Sequence, residues 1–168
     1  MSFRRRLGVL LILPLMLPLA AFQLSDPQPV PAPDQPLSER SAQGQLPQSN
    51  DPLWTKLATA KTYFNEKTGY YSINITPEVK SMDGADTALS GFILPLDGSD
   101  ETRHFLLSKR TPVCLYCPPG EPNEVVEVRS KRPVAWIDDQ VTVKGRFKLV
   151  NDGEKAIFFA LNDAELVK

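Results

Sequence analysis

The sequence predicts a mostly β protein, a small five-stranded barrel preceded by one short helix, and three observations predict it. Val141, Val143, Gly145, Phe147 and Leu149 alternate with Thr142, Lys144, Arg146 and Lys148, which is the period of a strand with one buried and one wet face. Turn signals such as Asp83-Gly84, Asp97-Gly98 and Asn151-Asp152-Gly153 recur between short runs of strand formers. A proline-rich stretch ahead of Leu53 leaves only Leu53–Lys168 to fold, an ordinary size for one domain.

Taken in order, the chain begins with Arg4-Arg5-Arg6, the apolar run Leu7 to Leu19 and the small pair Ala20-Ala21. This is the order of a secretory signal, with cleavage expected after Ala21, so 1–21 is read as a signal peptide. The apolar run is short for a bilayer span, and Pro14 and Pro18 interrupt it. Residues 22–52 carry Pro27, Pro29, Pro31, Pro33, Pro36 and Pro47 among polar residues, a composition that reads as an extended, mobile tether. Asp51-Pro52 then opens a helix, with Asp51 as N-cap, proline at the first helical position, and Leu53, Trp54 and Leu57 facing inward. Tyr70 to Ile75 is a short extended segment. Thr87 to Leu94 and His104 to Leu107 form a hairpin about Asp97-Gly98. Glu124 to Val128, Val141 to Leu149 and Ala156 to Leu161 complete about five strands. A chain of that size removes exposed sheet edges most economically as a barrel of the oligonucleotide/oligosaccharide-binding (OB) type, an open sandwich being the other architecture.

Charge narrows the function. The chain has 19 basic and 20 acidic residues, and loss of the signal leaves 16 against 20, a net charge of −4. That balance argues against a nucleic-acid partner. The one local basic cluster, Arg129, Lys131 and Arg132, reads as a solvated loop between strands.

The segment Thr111 to Asn123 holds the only cysteines, Cys114 and Cys117, in a loop stiffened by Pro112, Pro118, Pro119 and Pro122. Three readings of the pair stand side by side. An exported setting permits a local disulfide. Two thiolates two residues apart can grip zinc or copper(I), with His104, the only histidine, as a further ligand; zinc would still need a carboxylate such as Glu121 or Asp97. A dithiol redox centre is disfavoured because Pro118 and Pro119 prevent a helix from starting at the motif and lowering a thiol pKa. No hydrolase signature accompanies His104, which otherwise reads as a surface strand residue. Trp54, Trp136, Tyr63, Tyr70 and Tyr71 offer a stacking platform or, for most of them, core and rim packing.

The block Gly91-Phe92-Ile93-Leu94-Pro95-Leu96, then Phe105-Leu106-Leu107, then Cys114 with Pro118-Pro119 and Pro122-Asn123, resembles bacterial exported proteins catalogued as domain of unknown function 3299. Met82-Asp83-Gly84 and Val141-Thr142-Val143-Lys144-Gly145 sit where that family has a turn and a late strand, so the resemblance spans most of Tyr70–Lys168. It implies an envelope setting and work beside ABC transporter components, with no established enzyme activity. The family commonly has a histidine two residues after the cysteine matching Cys114; Tyr116 stands there, and Cys117 follows it. Cys114 is therefore the residue the resemblance carries over. The combined expectation is a periplasmic binding or accessory module rather than an enzyme, with Cys114, Cys117 and His104 as metal-site candidates and Pro118, Pro119, Pro122 and Asn123 as the loop's scaffold. A thiol redox protein and a structural envelope protein with a local disulfide are the alternatives.

Overall fold

The structure is a computed structural model that describes residues 43–97, 99–113 and 119–167. Residues 1–42, read above as a signal peptide and most of a tether, lie outside the described residues.

Helix α1 (Pro52–Leu57) starts where Asp51 caps it, the Oδ1 atom accepting from the Leu53 N–H at 2.9 Å. Trp54 and Leu57 are buried against the barrel. A two-stranded ribbon follows, β1 (Lys61–Asn65) antiparallel to β2 (Tyr70–Asn74), and then a single helical turn, α2 (Pro77–Lys80), capped by Thr76. The remaining strands are β3 (Asp86–Pro95), β4 (Glu101–Ser108), β5 (Val125–Ala135), β6 (Val141–Asp152) and β7 (Ile157–Val167). They close a barrel in the order β3-β4-β5-β7-β6. The β5–β7 pairing is parallel and the other four are antiparallel, an arrangement consistent with an OB-like barrel.

The alternation anticipated for β6 is present: Val141, Val143, Gly145 and Phe147 are buried while Lys144 and Arg146 are exposed. Inside the barrel, Leu89, Ile93, Phe105, Leu107, Val126, Val128, Phe159 and Leu161 meet these residues in one continuous core. Gly145 is required by close approach, because a Cβ there would stand 2.8 Å from the Asn162 carbonyl oxygen.

Closure depends on β3 changing partners. Its first half, Asp86–Gly91, pairs with β6, and its second half, Phe92–Pro95, pairs with β4. Gly91 sits at the change, where a Cβ would lie 2.6 Å from the Ser108 carbonyl oxygen. Ser90, one residue earlier, finds its backbone partners on the incoming chain. Its N–H donates to Asp51 Oδ2 (2.9 Å), and its carbonyl accepts from Trp54 Nε1 (2.8 Å) and Ser49 Oγ (2.6 Å). These bonds satisfy polar groups that would otherwise be stranded at the seam.

Four features differ from the sequence reading. Contacts with the folded part begin ahead of Leu53: Gln43 and Pro47 bond to the loop between β4 and β5, and Ser49 bonds to β3 at the seam. The ribbon strand β1 is unanticipated, since Lys61-Thr62-Tyr63-Phe64-Asn65 shows no simple alternation of apolar and polar residues. The basic cluster Arg129, Lys131 and Arg132 lies within β5 and not in a loop, its side chains exposed on a strand that β4 pairs. Glu124 belongs to a 3-10 turn (Pro122–Glu124) and not to a strand.

Candidate functional site

Residues 109–124 link β4 to β5, and the ends of this loop are fastened together. The Lys109 N–H donates to the Glu124 carbonyl at 3.0 Å. Below that bond the buried Glu124 carboxylate accepts from Arg110 Nε (2.7 Å), Arg110 Nη2 (3.2 Å), Lys109 Nζ (3.2 Å) and the Glu121 N–H (3.3 Å). Burial pushes the Glu124 carboxyl up, but the hydrogen bond and charge of Arg110, with help from the Glu121 N–H and Lys109, outweigh it and hold the group below the usual glutamate value. The same hydrogen bond raises Arg110. Arg110 engages both oxygens of the carboxylate, which makes this a charge-assisted clamp.

Further bonds hold the loop to its surroundings. Ser108 Oγ donates to the Pro119 carbonyl (3.3 Å), and Gln43 Nε2 reaches both the Pro119 and Thr111 carbonyls (3.2 and 3.3 Å). Thr111 Oγ1 donates to the Pro47 carbonyl, and Asn123 Nδ2 donates to the Ala60 carbonyl (2.8 Å). Pro119 and Pro122 are buried. Three of the four scaffold residues therefore have defined places, and Pro118 lies outside the described residues.

Beside the loop is an open cleft of about 270 Å³ walled by Phe92, Leu94, Pro112, Val113, Trp136 and Ile137, with Asp138 at its edge. Phe92 and Leu94 belong to the outer face of β3 and are buried, while Val113, Trp136 and Ile137 remain about half-exposed. The cleft is thus an apolar depression on the outside of the barrel, next to the residue that precedes Cys114.

A family model described as "Protein of unknown function (DUF3299)" matches residues 30–160. The chain belongs to this family. A crystal structure of another DUF3299 family protein, from Pseudomonas aeruginosa PAO1, is 21% identical over 73% of this chain and 84% of that one, with a TM-score of 0.46. No curated protein matches the chain. The DUF3299 match takes in the loop, the cleft and every strand up to the first residues of β7.

Of the sequence-predicted site residues, Cys114 and Cys117 lie outside the described residues. His104 stands on the outer face of β4, where Nε2 lies 2.6 Å from Glu127 Oε1 on β5, and Arg129 Nη2 reaches the same oxygen at 3.1 Å. Its described neighbours thus make it a member of a cross-strand polar cluster. Among the described residues, no three His, Cys, Asp or Glu side chains are grouped to hold a metal ion.

The stacking-platform residues divide. Trp54 is 1% exposed and belongs to the core, whereas Trp136, Tyr63, Tyr70 and Tyr71 are exposed. Sequence reasoning missed Glu124 and Arg110. The available signal was a glutamate two residues after Pro122 with Glu121 ahead of it, the composition of a capped turn.

Proposed function

We propose that this DUF3299 protein is a non-enzymatic binding or accessory module of the periplasm whose working element is the loop 109–124, taking zinc or copper(I) through Cys114 and Cys117. One observation supports the reading above all: both ends of the loop are locked to the barrel by the Glu124 clamp, while the apolar cleft beside Val113 is left open. A loop held at its ends presents the residues between them at little further ordering cost, which is what a binding loop requires. The exposed Val113, Trp136 and Ile137 then form the rim against which an envelope partner, such as an ABC transporter component, would close.

The test is a titration of the reduced protein with zinc and with copper(I), read by mass spectrometry under native conditions. One equivalent bound, and lost in Cys114→Ser, supports the metal reading; no binding at micromolar metal sinks it. A thiol redox protein would instead show a Cys114–Cys117 couple in the range of exchange catalysts, and a structural bridge would be far more reducing.

A further inference from the structure

The cleft on the outside of the barrel has two properties that define what fits it. It measures about 270 Å³, just under the roughly 300–1,000 Å³ of small-molecule sites, and its walls are largely apolar. A pair of apolar side chains suits that space better than a whole ligand does. The second property is an open strand edge. Pairing of β3 with β6 stops at Gly91, and among the described residues Phe92–Pro95 pair with β4 alone. Phe92, Ile93 and Leu94 line the cleft, so their free edge runs along it. An extended segment with apolar side chains answers both properties, adding main-chain hydrogen bonds to side-chain burial.

The chain itself brings such a segment to this place. Gln43, the first described residue, donates from Nε2 to the Thr111 carbonyl (3.3 Å), and Thr111 Oγ1 donates to the Pro47 carbonyl (2.6 Å). Thr111 is part of the cleft wall, so the residues ahead of Gln43 depart from the cleft's rim. In Asp34-Gln35-Pro36-Leu37-Ser38-Glu39 one apolar pair, Pro36-Leu37, stands between polar neighbours. Leu37 lies six residues before Gln43, which gives it a reach of up to about 20 Å. Pro36 fixes its own φ and favours an extended Gln35, so little conformational freedom is lost on docking.

We propose that Pro36-Leu37 of the same chain docks in this cleft, with Asp34–Ser38 extended along the free edge of β3. Attachment selects this occupant over a free one. A segment on a short linker has an effective concentration on the order of millimolar, so it fills a shallow site that a separate peptide reaches only at comparable concentration. On the reading of the cleft as a docking surface for an envelope partner, on which this inference rests, Pro36-Leu37 is its regulator. The partner must displace the segment before it can close on Trp136 and Ile137.

Nuclear magnetic resonance of the isotope-labelled chain tests this. Overhauser contacts are expected in the parent from the Leu37 methyl groups to the Trp136 ring and to Val113 or Ile137. Leu37→Asp should abolish them and shift the Trp136 indole N–H resonance, leaving that of Trp54, buried in the core, in place. Leu37→Met, which stays apolar, should keep the parent position. A parent without contacts from Leu37 to the cleft, or a Trp136 resonance that Leu37→Asp leaves unmoved, overturns the proposal. So do contacts to Trp136 that come from Leu115 or Tyr116 instead, or that arise only between labelled and unlabelled chains in a mixture, the signature of a second copy. Zinc or copper(I) uptake should be the same in Leu37→Asp as in the parent, so failure of the loop reading and failure of this one are told apart.

Discussion

Phe105, Phe147 and Phe159 on the barrel strands are wholly buried, whereas Tyr63, Phe64, Tyr70 and Tyr71 on the β1–β2 ribbon stay largely in solvent. Residue type does not separate the two sets; what each strand can close against does. A barrel strand has a neighbour on both edges and a filled interior, so every inward aromatic finds a full set of contacts. The ribbon has one internal pairing and few attachments, and a two-stranded ribbon is marginal alone. Aromatics on the first set therefore hold the fold, and those on the second are available for other work.

The largest effect should come from the barrel. Phe147→Ala removes a buried ring that packs 5.8 Å from Phe159, and a loss of about 3–5 kcal/mol is expected in urea unfolding. A loss below about 1 kcal/mol would mean that the barrel interior is looser than its contacts imply.

Next comes the clamp that fastens the two ends of the β4–β5 loop. Glu124→Ala should cost roughly 2–3 kcal/mol, the scale for hydrogen bonds to a charged group. Because the folded protein holds this carboxyl below its ordinary value of 4.5, its contribution is complete above that value and fades as pH falls through the folded value. Stability of the parent should therefore drop in acid more steeply than that of Glu124→Gln. Parallel acid-unfolding curves for the two would remove the clamp from the account.

A smaller loss, about 2 kcal/mol, is expected for Asp51→Ala, which takes the cap from α1 and the partner from the Ser90 N–H at the β3 seam. A helix cap alone would be nearer 1 kcal/mol, so thermal or urea melts can tell the two apart. Smallest of all, Tyr63→Lys should change stability by less than about 0.5 kcal/mol, as an exposed substitution does.

The sequence made the barrel legible where a local rule and a tertiary demand agreed. The β6 alternation, the Asp51-Pro52 helix start and the turns at Gly84 and Gly153 all express such agreement. Legibility ended where long-range partners decide. Arg129 to Pro133 looks like a loop by charge and proline content, yet pairing of Thr102 with Val134 keeps the segment extended. Likewise, nothing local says that Glu124 will fold back on Arg110, 14 residues earlier, and it is this contact that gives the loop its fixed ends. The cysteines drew attention to this loop, but the residues that hold its described ends are ordinary charged ones.

The parallel pairing of β7 with β5 has a consequence for how the chain reaches this fold. Strand β7 is the last of the five barrel strands in sequence, and it joins β5 to β6. No portion of the chain lacking Ile157–Val167 can close the barrel, so the preceding strands must wait with their apolar faces uncovered. Closure is then a late, long-range event of the kind that folds slowly. A nascent chain keeps the barrel open until β7 has been made.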